Sequence, residues 1–204
     1  MTERATYTVT TLLDVNDVQD VDDRAESRTY VVADLASRQA VIIDSVLENI
    51  ERDLLLLKEL GLTLAFVVET HIHADHITGA SAIKDRTGAL IVYGGAAADV
   101  VTGADLFVYD GKTLTFGQTS LKALATPGHT DSCTSYLLPG AVFTGDAMFI
   151  RGNGRTDLQG GSSRKLFESV RGKLFTLPDD TVVYPGHDYN GRVASTIGEE
   201  KRFN

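Results

Sequence analysis

A single cysteine, Cys133, stands among 204 residues. One thiol cannot close an intrachain disulfide, build a four-cysteine zinc site or hold an iron–sulfur cluster. Its place just before Thr134 to Leu138, which reads as a strand, marks it as a small buried core residue. Long apolar stretches are also missing, so none can cross a bilayer as a helix. The segment Met1 to Tyr7 has no apolar signal core and carries an early acid, from which a cytoplasmic location is expected. Basic charge is scarce: 19 Lys and Arg against 28 Asp and Glu give a formal charge of −9. Nucleic-acid binding needs a basic footprint, so that class of function is not expected. No linker, low-complexity tract or repeat interrupts the chain. One domain spanning 1–204 is expected, large enough for a full core, and 43% hydrophobic residues supply it.

What the chain does hold is five histidines, and all fall in short motifs. His71, His73 and His76 lie in Thr70-His71-Ile72-His73-Ala74-Asp75-His76. His129 follows Pro127-Gly128, His187 follows Pro185-Gly186, and Phe143-Thr144-Gly145-Asp146 adds a carboxylate after an apolar run. Imidazole with carboxylate is a ligand set for Zn(II), Mn(II) or non-haem Fe(II). In a loop, His71 and His73 can point at one metal while Asp75 and His76 point at a neighbour. His129 and Asp146 would complete the first site, and Asp146 could bridge to a second that His187 also fits. Such a bridge suits two cations about 3.5–4 Å apart. The pattern speaks for a metal and leaves its count, one or two, open. With the histidines committed to metal, Cys133 has no base to make it a nucleophile.

Punctuation by glycine and proline suggests the elements. Strands are expected at 41–43, 64–68, 90–93, 121–125, 134–138, 141–143 and 181–184. Helices are expected at 49–60 closed by Gly61, at 81–86 ending near Gly88, at 163–175 and at 191–202. Asp44-Ser45 offers turn and helix-cap chemistry, and the acidic stretch Asp14 to Asp23 reads as a solvated loop. Each metal motif follows a strand. Strand–helix alternation, then strand runs, suggests two sheets with helices outside.

The set His71/His73/Asp75/His76, His129, Asp146 and His187 resembles the metallo-β-lactamase superfamily over nearly the whole chain. That resemblance implies an α+β fold, the αββα sandwich, with metal at one edge of the two sheets. The superfamily includes thioester hydrolases such as glyoxalase II, lactonases, lactamases, nucleases and oxygen-using iron enzymes. A finer resemblance lies in Ile150 to Gly161, which contains Arg151, Arg155, Thr156 and Asp157. With Thr70 to Gly79, Leu174 to Pro178 and Tyr184 to Tyr189, it is similar to the persulfide dioxygenases, or sulfur dioxygenases. Members of that family oxidise glutathione persulfide with O₂ to sulfite and glutathione, using one Fe(II).

The resemblance implies that His71, His129 and Asp146 are the iron ligands, a 2-His-1-carboxylate triad that leaves other positions open. His73, Asp75, His76 and His187 would surround them or form a vacant second metal site. Arg155 would grip a carboxylate of the substrate, or pair with Asp157, and Tyr189 would hydrogen-bond substrate or oxygen. Family members are often dimers, so a homodimer is an expectation of the same kind. Relatives often carry cysteine where this chain has Asn153 and Ser162, so thiol regulation there is not expected. Relatives also continue past Asn204, which points to a removed tail or a compact member. The rival reading is a glyoxalase II-type hydroxyacylglutathione hydrolase with a dinuclear site, whose helical C-terminal extension has no room here. A non-catalytic binding protein is a further rival, although no ligand is missing.

Overall fold

The computed structural model describes residues 6–15 and 26–204. Two six-stranded sheets make up its centre. The first runs β1 (Tyr7–Val15), β2 (Glu26–Asp34), β3 (Gln39–Ile43), β4 (Thr63–Val68), β5 (Leu90–Gly94) and β6 (Leu106–Val108) in spatial order. The second holds β7 (Thr113–Phe116), β8 (Thr119–Ala125), β9 (Thr134–Leu138), β10 (Ala141–Gly145), β11 (Val182–Pro185) and β12 (Ser195–Thr196), each neighbour hydrogen-bonded to the next. Both sheets are mixed: β3 to β6 run parallel, as do β10 and β11, and the other pairs are antiparallel.

Period-two alternation explains the layers. Tyr30, Val32, Val41 and Ile43 point to the interior between the sheets, where they meet Phe116, Leu121, Tyr136 and Phe143. Their chain neighbours Val31, Ala33, Ala40 and Ile42 point outward, beneath Leu57 of α1 (Ile50–Glu59) and Ile83 of α2 (Ala80–Thr87). Across the molecule Val142 and Val183 meet Leu166 and Val170 of α3 (Ser163–Gly172) and Ile197 of α4 (Ile197–Phe203). Strands buried on both faces cannot alternate apolar with polar, so their sequences read as continuous β-branched runs. The result is the expected αββα sandwich.

Several expectations change in detail. Strands β1 and β2 precede the first strand expected from the sequence. The final helix starts at Ile197, not 191, because the Thr196 side chain accepts from Glu199 N at 3.2 Å and caps it there. Helix α3 stops at Gly172, and a 3₁₀ turn covers Leu174–Thr176. Asp44 caps no helix: it sits at φ 54°, and its carboxylate accepts from Thr70 N and Oγ1 at 2.7 and 2.8 Å. Asp14 is buried at the end of β1, taking hydrogen bonds from Thr29 Oγ1 (2.6 Å) and Asn49 Nδ2 (2.8 Å). The rest of the acidic stretch, 16–23, lies outside the described residues.

Asp34 ties the two sheets together. Its carboxylate accepts from Ser37 N at 2.7 Å, Thr119 Oγ1 at 2.7 Å and Gln118 N at 3.2 Å. The hydrogen bond from Ser37 N, then that from Thr119, lowers its pKa to about 2. A depressed carboxylate contributes stability above its unfolded value, near 3.9, and loses it as pH falls through about 2. Urea unfolding of Asp34→Asn should show a lower midpoint than the native chain at pH 6, with the gap closing between about pH 4 and pH 2. A gap independent of pH would show that the charge contributes nothing.

Candidate metal centre

All four motifs emerge at the same edge of the sandwich, from the C-terminal ends of β4, β8, β10 and β11. The structure brings His71, His129 and Asp146 together, with one donor atom of each within 4.8 Å of the others. A second trio, His73, Asp75 and His76, meets the same limit. His187 Nε2 stands between Asp75 Oδ2 and Asp146 Oδ1, 3.6 Å from each. One cation could touch the first trio, and the second trio offers a neighbouring place.

Surrounding hydrogen bonds decide which ring nitrogen is available. Thr70 Oγ1 gives its proton to Asp44 Oδ2, so His71 Nδ1, 2.9 Å away, is the donor in their contact. The Nε2 lone pair of His71 is then free. His129 Nδ1 lies 2.7 Å from the Arg155 carbonyl, which can only accept, so its Nε2 is likewise free and lies 3.5 Å from Asp146 Oδ2. His73 Nε2 is shared by Asp44 Oδ1 at 3.2 Å and Glu69 Oε2 at 3.1 Å. Asp75 meets His76 Nδ1 at 3.0 Å and accepts from Ser27 Oγ at 2.9 Å.

Burial and charge set the protonation. Burial, then the charges of His73 and His129, holds His71 well below the usual imidazole range and therefore neutral. Burial pushes the Asp146 carboxyl up despite the histidines beside it. For Asp75 burial acts upward too, but the His76 hydrogen bond and charge outweigh it and hold the carboxyl below its ordinary value. His73 is raised well above its ordinary value, because Asp44 and Glu69 overcome its burial. Asp146 Oδ1, His73 Nδ1 and His76 Nε2 are buried with no hydrogen-bond partner. Buried polar atoms left unpaired are costly, and a cation at this edge would satisfy them.

A cavity of about 560 Å³ opens over this edge, walled by Phe149 to Arg155 on one side and by His187 to Asn190 on the other. Arg155 and Tyr189 both line it. The Arg155 guanidinium makes a two-bond pair with Asp157, 2.7 Å on each arm. Tyr189 stacks parallel to His187 at 6.2 Å between ring centroids. Cys133 is buried, bonded to Thr130, and pushed up to about 11 by burial, as a core thiol should be. Ser162 caps α3, and Asn153 faces the cavity. Glu69 and Ser27 are not singled out by the sequence, which offers Asp44 only as a turn or cap residue and Arg151 only as part of the 150–161 segment. For Asp44 and Glu69 a signal existed, an acid directly after a β-branched run.

An αββα sandwich with imidazoles and carboxylates gathered at one edge is the architecture of the metallo-β-lactamase class, and the family model described as "Metallo-beta-lactamase superfamily" matches residues 23–187. The persulfide dioxygenase ETHE1, mitochondrial, of Homo sapiens is 46% identical over 180 residues, 86% of this chain and 69% of that protein. The crystal structure of ETHE1 from Myxococcus xanthus superposes with a TM-score of 0.89 at 47% identity, covering 97% of this chain and 83% of that one. A hydroxyacylglutathione hydrolase of Brucella anthropi is 45% identical over a shorter 146 residues, 69% of this chain and 55% of that protein. The chain belongs to the metallo-β-lactamase superfamily and, within it, to the persulfide dioxygenases. Among the described residues no helix is long and apolar enough to cross a membrane.

Proposed function

We propose that this protein is a mononuclear iron dioxygenase that oxidises glutathione persulfide with O₂. The carrying observation is the gathering of His71, His129 and Asp146 within ligand reach of one another, in a chain whose likeness to ETHE1 proteins spans nearly its whole length. In this reading the persulfide's outer sulfur takes up both atoms of O₂ and the oxygen of one water. It leaves as sulfite while the thiol is released.

His71 and His129 through Nε2, and Asp146 through its carboxylate, would hold one Fe(II). The donor set fits: two imidazoles and one carboxylate, with Asp146 Oδ1 buried and unpartnered. Bound there, iron would supply the one-electron chemistry that lets O₂ react with a sulfur. The protein's part is orientation. The Asp44–Thr70–His71 chain and the Arg155 carbonyl fix the two ring tautomers. His73, Asp75, His76 and His187 surround the ligands and balance charge. Arg155, aimed by Asp157, would meet a glutathione carboxylate, and Tyr189 would hydrogen-bond substrate at the cavity mouth.

The second reading, thioester hydrolysis by two metals, is favoured by one observation, the trio His73, Asp75 and His76 beside the first. Anaerobic loading with Fe(II), addition of glutathione persulfide, and assay of O₂ uptake with sulfite separates the two. Uptake yielding sulfite, absent in His129→Ala, supports the dioxygenase. Iron-loaded protein without uptake that cleaves a glutathione thioester supports the hydrolase.

A further inference from the structure

The cavity wall formed by Phe149 to Arg155 is anchored from behind. It is a tight turn, closed by Phe149 N donating to Gly152 O at 2.8 Å. Within it Arg151 occupies the left-handed region at φ 66°, which a side chain other than glycine rarely adopts unless its surroundings hold it there. The holding group is Glu200 of α4. This carboxylate is wholly buried, and Oε2 accepts from the Arg151 backbone N at 2.8 Å. Ser195 Oγ donates to Oε1 at 2.5 Å, and Asn204 Nδ2 lies 3.1 Å from Oε2. The same Asn204 amide lies 3.2 and 2.9 Å from the carbonyls of Phe149 and Gly152. The Arg151 guanidinium pairs with Glu199 and rests on the Phe203 ring, 4.3 Å from its centroid. Every one of these anchors comes from β12, α4 or the residue that ends it, outside the metal motifs.

A buried carboxylate is costly to keep unless its oxygens are satisfied. An apolar residue could fill the same volume. The cost is met here by bonds whose common effect is to set the shape of one turn. That turn begins three residues after Asp146 and lines the cavity with Arg151, Gly152 and Asn153. We propose that Glu200 is a positioning residue for substrate: through the Arg151 backbone it holds the wall that receives the anionic carrier part of the persulfide. It touches neither the metal ligands nor the cavity. Its loss therefore weakens substrate capture and leaves the metal site intact. The inference rests on the dioxygenase reading for the identity of the substrate, whereas the anchoring itself can be measured without turnover.

The test compares Glu200→Leu, which fills the volume without an acceptor, with Glu200→Gln, whose amide can still accept from Arg151 N and donate to Ser195. Hydrogen exchange over 149–153, metal content, and steady-state kinetics with glutathione persulfide are measured on the iron-loaded full chain. Losing its hold on the Arg151 backbone, one of three hydrogen bonds that Glu200 accepts, should speed exchange and raise KM about tenfold in Glu200→Leu, with kcat within about twofold and iron per chain unchanged. Glu200→Gln should restore both. Unchanged exchange, or a fall in kcat and iron together with KM intact, overturns the proposal. Should the native chain show no turnover, the dioxygenase reading fails, and exchange alone judges the anchoring. Should Glu200→Leu fail to fold, Asn204→Ala must raise exchange and KM in the same direction, and its failure to do so overturns the proposal equally.

Discussion

Asp146→Asn is expected to lower O₂ uptake on the order of a thousandfold and to take bound iron from about one per chain to below about a tenth. Asp146 is the only carboxylate in the proposed triad, and asparagine keeps its shape while removing its charge. The carboxylate is buried, with Oδ2 3.5 Å from His129 Nε2 and Oδ1 3.6 Å from His187 Nε2. Buried imidazoles facing a cation without their counter-charge lose about 3–5 kcal/mol of binding, which sets the size of the effect. The metal-free variant should nonetheless melt no lower than metal-free native protein at neutral pH. Burial raises the Asp146 carboxyl, and a raised acid costs stability progressively as pH rises above its unfolded value, about 3.9, and in full above its folded value. Metal analysis beside a thermal melt checks both halves. A variant that retains iron would remove Asp146 from the ligand set.

Gly154→Ala should have the second large effect, acting through geometry alone. A Cβ at this position would fall 2.5 Å from the Asp146 carbonyl oxygen and 2.9 Å from His129 Nδ1. Both neighbours belong to proposed ligand residues, and neither is the free end of a flexible chain. His129 Nδ1 is fixed by the Arg155 carbonyl, and the Asp146 carbonyl accepts from Gly154 N at 2.9 Å. The methyl must displace one or both, with an expected loss of about 10–100-fold in metal affinity and about 1–3 kcal/mol of stability. Gly152→Ala is the control, because a Cβ there meets nothing within 4 Å. Iron titration of both variants reads the difference. Equal affinities would mean that the 152–155 segment yields without moving the ligands.

Much of this centre was legible in the chain. Buried strands announce themselves as short apolar runs, so 41–43, 64–68 and 141–143 could be placed, and with them the ends that carry His71 and Asp146. The ligand types could be read because few residues bind metals and all five histidines sit in motifs. The N-terminal strands were harder: β1 is stabilised by its antiparallel register with β2, Tyr7 opposite Asp34, and pairing partners are not local information. Asp14 illustrates the same limit. Beside Asn16, Asp17 and Asp20 it reads as solvated, yet Arg52, Asn49 and Thr29 bury it.

The layer architecture, the candidate ligand residues and the family can all be read along the chain, because periodicity and residue chemistry are properties of short segments. Which nitrogen His71 and His129 offer depends on the tertiary structure, since Asp44 lies 26 residues from Thr70 and Arg155 lies 26 residues from His129. The tertiary structure also decided that Arg155 contributes a carbonyl to His129 while its guanidinium turns to Asp157. And it alone placed Glu200 behind Arg151, 49 residues apart in the chain. Hydrogen-bond partners so far apart are chosen by the packing of sheets and helices, and no local pattern of residues encodes that choice.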